Sequence, residues 1–63
     1  MNNIRKIRES RNLSQVQLAR LSNISQPYLH DLENGARGAR PETLQRIADA
    51  LGVTVEELTG NAK

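Results

Sequence analysis

LSQVQLARLSNISQPYLHDLENG, residues 13–35, holds two short runs with helical apolar spacing, joined only by Leu21-Ser22-Asn23-Ile24. Ser14 is a good N-cap for the first run, because its hydroxyl oxygen can accept from backbone N–H groups of the following turn. Leu18, Ala19 and Ser22 then fall on one face. Asn23 tolerates the left-handed backbone wanted where a helix stops. Ser25 caps the second run, and Pro27 sits in its first turn, where a missing N–H costs nothing. Leu29 and Leu32 point inward, and Asn34-Gly35 ends the run. So short a link does not let the two helices pack antiparallel, and they must cross steeply. Ala19 is the small residue that lets the backbones approach. The start of the second helix is left projecting from the surface.

Outward from this stretch, Ile4 and Ile7 make a one-sided stripe in a helix ending near Arg11, with Asn12 as another left-handed stop. Residues Ala36 to Arg40 read as a loop. Pro41 starts a further helix in which Leu44, Ile47, Ala48 and Leu51 keep the 3.6-residue period. Gly52 terminates it, and Thr54-Val55-Glu56-Glu57 is a capping box opening a last short turn. No segment alternates as a strand does, so the expected fold is all-α with five helices in a single domain spanning residues 1–63. The candidate core is aliphatic: Ile4, Ile7, Leu13, Leu18, Ile24, Leu29, Leu32, Leu44, Ile47, Leu51, Val53 and Leu58. At 63 residues such a core leaves little margin, and one Leu→Ala change within it should cost about 2–5 kcal/mol.

Composition narrows the function classes. The chain has no cysteine, which removes disulfides and thiolate ligands and suits a reducing cytoplasm. No apolar run approaches a membrane span, and the N-terminus lacks the apolar stretch of a signal peptide. The net charge of +2 hides an asymmetry: residues 1–40 carry seven Lys/Arg against three acids, and residues 41–63 carry two against four. A basic front and an acidic back suit a polyanion on one side, although solvated surface charge explains the balance equally well. His30-Asp31-Leu32-Glu33 invites a metal or catalytic reading. There is only one histidine, and consecutive helix positions face different ways, so no metal, cofactor or enzymatic activity is expected.

Two crossing helices with the second one projecting form the arrangement by which a helix-turn-helix, here at about residues 14–34, offers a recognition helix to the major groove. At this point the sequence resembles the Cro and phage-repressor (Xre-like) family of regulators, from Ile4 to about Leu58. The resemblance is carried by Ile7-Arg8, Leu13-Ser14-Gln15, Leu18-Ala19, Ile24-Ser25 and Leu29 through Leu32-Glu33-Asn34-Gly35. It continues with Pro41, Leu44, Ile47-Ala48, Ala50-Leu51-Gly52-Val53, Val55 and Leu58. It implies a five-helix lambda-repressor-like DNA-binding domain.

Carried over position by position, the resemblance implies that Gln15 contacts a phosphate at the start of the second helix. Ser25, Gln26, Pro27, Tyr28 and Asp31 match the start and exposed positions of the recognition helix. Gln26 is the leading base reader, since a glutamine amide pairs bidentately with adenine. Pro27 offers apolar contact to a thymine methyl, and Tyr28 a hydrogen bond to phosphate or contact with a sugar. Asp31 can accept from cytosine or restrain a neighbouring basic side chain; both stay open. Arg37 and Arg40 lie in the loop that touches the DNA backbone in this family. Arg8 and Glu33 match a structural ion pair. Val16 and Leu21 stand where polar residues are usual, either simply exposed or covering a partner contact. A homodimer is expected through Val53, Val55 and Leu58, because a single recognition helix reads only a few base pairs and specificity comes from two copies on a palindromic site. The implied function is transcriptional regulation, as a repressor, by a cytoplasmic chain of prokaryotic or phage type associated with the nucleoid. The partner is double-stranded DNA, with no membrane and no small-molecule substrate. The alternative is an antitoxin-like or other protein-interaction module.

Overall fold

The computed structural model describes residues 2–60. Its helices run in the order α1 (Ile4–Ser10), α2 (Gln15–Ser22), α3 (Gln26–Glu33), α4 (Pro41–Leu51) and α5 (Val55–Thr59), with no strand among the described residues. The expected elements are therefore present, and residues 36–40 form a loop.

The first four helices stop in the same way. Asn12, Asn23, Gly35 and Gly52 all have positive φ. Each donates its N–H to the carbonyl three residues back, and the next residue donates to the carbonyl five back, as in Asn23 N to Arg20 O and Ile24 N to Ala19 O. This double closure satisfies carbonyls that the end of a helix would otherwise leave without partners. Three of the residues just beyond the stops are large and apolar: Leu13, Ile24 and Val53. Each folds back half-buried against the core. They were expected to be core residues; their position after a stop makes them its rim.

The beginnings are equally explicit. Ser14 Oγ accepts from Gln17 N at 3.0 Å while Gln17 Oε1 accepts from Ser14 N at 2.8 Å. Thr54 and Glu57 repeat the reciprocal pair at α5. Ser25 Oγ accepts from Tyr28 N at 3.3 Å. Each such cap is worth about 1 kcal/mol.

The buried apolar set is Ile4, Leu18, Ala19, Leu29, Leu32, Ile47, Ala48, Leu51 and Leu58. Helix α2 lies at its centre, against α3 on one side and α4 on the other, and α5 closes onto α4 and α1. The chain start is tied down by Asn3 N donating to Leu58 O at 2.7 Å and by Asn2 Nδ2 donating to Leu32 O at 2.7 Å. Leu58 was expected both in the core and at the dimer contact, and only the first holds. Leu58 has 0% of its surface exposed, because α5 lays it into the core. It supports that helix from beneath and has no surface to offer a partner, whereas Val53 and Val55 keep part of theirs.

Candidate nucleic-acid interface

The geometry of the exposed face begins with a buried ion pair. Arg8 on α1 donates from Nε to Glu33 Oε2 at 2.7 Å and from Nη2 to Glu33 Oε1 at 3.1 Å. Its Nη1 donates to Leu13 O at 2.7 Å. The side chains are 9% and 0% exposed, so the pair that the resemblance implied is present and semi-buried. Burial alone would raise the Glu33 carboxyl. Hydrogen bonds from Arg8 and then Gln15, with the Arg8 charge and Arg5 behind them, outweigh it and hold the group below the usual carboxylate range. The hydrogen bond to Glu33 raises Arg8, against the opposing effect of burial.

From Glu33 a chain of hydrogen bonds runs outward. Gln15 Nε2 donates to Glu33 Oε1 at 3.0 Å, and Gln26 Nε2 donates to Gln15 Oε1 at 2.8 Å. An ionised carboxylate only accepts, so Gln15 must turn its amino group inward and its carbonyl toward Gln26. Gln26 gives one N–H to that carbonyl. Its second N–H and its Oε1 remain for a partner outside the chain. Gln15 and Gln26 each occupy the first position of a helix, and the packing of α2 against α3 brings those two positions together. Ala19, 3% exposed, is part of the core.

Helix α3 buries Leu29, Leu32 and Glu33. At about 100° per residue, the ridge opposite that row carries Pro27 and Asp31, with Tyr28 and His30 on its flanks. Pro27 and His30 are exposed, while Tyr28 and Asp31 are half-buried. Arg37 reaches back from the loop to this ridge. Its guanidinium lies 5.7 Å from the Tyr28 ring centroid, and its Nε lies 3.8 Å from Asp31 Oδ2. Of the two roles left open for Asp31, restraint of a basic side chain is the one its geometry displays. Arg40 is exposed at the start of α4. With Ile24, Ser25, Tyr28, Arg37 and Gly38 it borders a shallow cleft beside the α3 N-terminus.

The expected residues thus fall into two clusters: Arg8, Glu33, Gln15 and Gln26 in one, and Ser25, Tyr28, Asp31, Arg37 and Arg40 in the other. Pro27 stands on the ridge between them. Sequence reasoning missed the inward bond of Gln15, having assigned that residue only an outward one. The available signal was a glutamine opening each of two helices whose link forces them to cross. It also missed Arg5, which donates to Asn34 Oδ1 at 3.0 Å and lies 3.5 Å from Glu33 Oε1.

Comparison with known proteins agrees with this architecture. The pattern of the helix-turn-helix family matches residues 4–58. The immunity repressor protein of Bacillus phage phi105 is 42% identical over 57 residues, covering 90% of this chain and 40% of the relative. The HTH-type transcriptional regulator DdrOP3 of Deinococcus deserti is 42% identical over 55 residues, 87% of this chain and 43% of the relative. The chain therefore spans less than half the length of these two relatives. Among solved structures, the restriction-modification controller protein C.AhdI from Aeromonas hydrophila superimposes with a TM-score of 0.83 at 31% identity, over 86% of this chain and 82% of that one. The chain belongs to the helix-turn-helix family, in its Cro and phage-repressor (Xre-like) branch.

Proposed function

We propose that the chain is a sequence-specific DNA-binding transcriptional regulator, acting as a repressor, that reads a palindromic operator through the major groove as a homodimer. The observation that carries this reading is the hydrogen bond by which Gln15 holds Gln26 at the first position of α3, leaving the amide one N–H and its carbonyl oxygen without a hydrogen bond among the described residues. That pairing of donor and acceptor matches the N7 and N6 edge of adenine. Pro27 beside it offers apolar contact to a thymine methyl. The remaining N–H of Gln15, the backbone N–H groups opening α2, the Ser25 hydroxyl and Arg40 suit phosphates. No catalysis is assigned to any of these groups. The setting is cytoplasmic, where such a chain meets its DNA.

One recognition helix reads only a few base pairs, so the proposal includes two copies on half-sites about 34–36 Å apart. Val53 and Val55 are the apolar side chains with remaining surface near the α4–α5 junction and are assigned to that contact. The likeness to C.AhdI favours one subclass, a controller of restriction-modification genes, which shares the mechanism and differs in the genes served. A protein-masking module would want a continuous apolar surface. Val16 and Leu21 are exposed at 52% and 61%, but five positions on one helix place them about 140° apart, so they form no patch.

Selection from a random duplex library tests the proposal. The expected result is an enriched motif with two-fold symmetry and a half-site spacing of one duplex turn. Enrichment of no motif at low salt would overturn it.

A further inference from the structure

We propose that Arg37 is a base-reading residue that takes guanine, held on the α3 ridge by Asp31 and Tyr28 as positioning residues. The inference rests on the DNA-reading role proposed above and extends it to a second base.

Three observations lead here. First, Asp31 stands with Pro27 on the outermost ridge of α3, opposite Leu29, Leu32 and Glu33. The Arg37 guanidinium beside it is therefore on the reading surface, although its backbone belongs to the loop. Second, the guanidinium is restrained twice, by its approach to the Tyr28 ring at 5.7 Å and to Asp31 Oδ2 at 3.8 Å. Restraint of this kind limits the orientation of the fork. A phosphate contact needs only a positive charge, whereas bidentate pairing with a base edge needs an oriented plane. Third, Asp31 comes nearest at Nε, 3.8 Å away and beyond hydrogen-bond length, and the two terminal amino groups of Arg37 make no hydrogen bond among the described residues. Those groups are the pair that matches guanine O6 and N7.

The same arrangement explains how an acid is tolerated on a face meant for DNA. A lone Asp31 carboxylate would repel phosphates and the acceptor-rich edge of guanine. With Arg37 in front of it, the carboxylate is compensated and the outermost groups are donors. Cytosine reading by Asp31 would compete with this approach, because the same carboxylate faces Arg37 at 3.8 Å.

The test compares duplex-library selections for the wild-type chain and for Arg37→Ala, Arg37→Lys and Asp31→Asn, all of them surface changes. The wild type should enrich a guanine in each half-site in addition to the base pair read by Gln26. Arg37→Ala should lose that guanine while keeping the rest of the motif, with discrimination falling from roughly ten- to hundredfold to none. Arg37→Lys, which keeps the charge and loses the fork, should lose it too. Asp31→Asn should weaken preference at the same position. In anisotropy titrations, 7-deazaguanine at that position, which lacks the N7 acceptor, should weaken the wild type about tenfold and leave Arg37→Ala unaffected. An unchanged motif with affinity lowered evenly across sequences would make Arg37 a phosphate contact and overturn the inference. So would a loss in Asp31→Asn at a position other than the one lost in Arg37→Ala. Either result leaves the parent reading standing, whereas a wild-type selection without any motif removes both.

Discussion

Glu33 accepts from Arg8 and Gln15 at once, inside a site where its side chain has no exposed surface. Removing one partner from such a site leaves a charge stranded away from water, which costs more than the pair itself contributes. Arg8→Met or Glu33→Met alone should therefore destabilise the fold by about 3–5 kcal/mol, and the double change should cost clearly less than the two added together. Chemical denaturation of the three variants measures this. The carboxyl of Glu33 is held below its usual range, so its contribution is fully present above the ordinary glutamate pKa of about 4.3 and is lost as the pH falls through the depressed folded-state value. The wild type should lose stability over that acid window, and Glu33→Gln should flatten the loss. Because Glu33 also orients Gln15, and through it Gln26, the same residue links stability to the shape of the proposed reading surface.

At the scale of elements, the helix stops decide how the chain turns. Asn23 sits at φ 59 between α2 and α3, where a side chain branched at Cβ is strained by roughly 1–2 kcal/mol. Asn23→Val should lower stability by about that amount, and Asn23→Gly should be nearly neutral. Thermal melts would separate the two. Stops and caps of this kind were legible in the sequence because their chemistry is local: Asn12, Asn23 and Gly52 act within a few residues of themselves, as do Ser14, Ser25 and Thr54. The Arg8–Glu33 pair was legible only through the family resemblance. The bond from Gln15 to Gln26 and the reach of Arg37 onto Tyr28 and Asp31 were not, since both depend on the crossing angle and on the path of the loop. Leu58 was placed correctly in the core but was also assigned to the dimer contact, for a related reason. An apolar residue on a short terminal helix can face a partner or the core, and only the docking of α5 against α1 and α4 decides between them.

At the scale of the whole molecule, charge and shape point the same way. The N-terminal two-thirds carries the excess of positive charge, with four of the seven acids in the rest of the chain, and Arg37 and Arg40 of that stretch border the cleft beside the α3 N-terminus. Each phosphate contact contributes about 0.9 to the slope of log affinity against log salt on duplex DNA. Arg40→Ala should therefore reduce the slope by about one per protomer while leaving base preference intact. Salt titrations on the selected site and on an unrelated duplex measure both effects. The central claim is that the outward amide of Gln26 reads a base. Its most direct test is an anisotropy titration of wild type and Gln26→Ala, each on the selected operator and on the same duplex with the Gln26-dependent base pair exchanged. The account predicts that the wild type distinguishes the two duplexes by about 1–3 kcal/mol and that Gln26→Ala binds them equally. Undiminished discrimination by Gln26→Ala would contradict it.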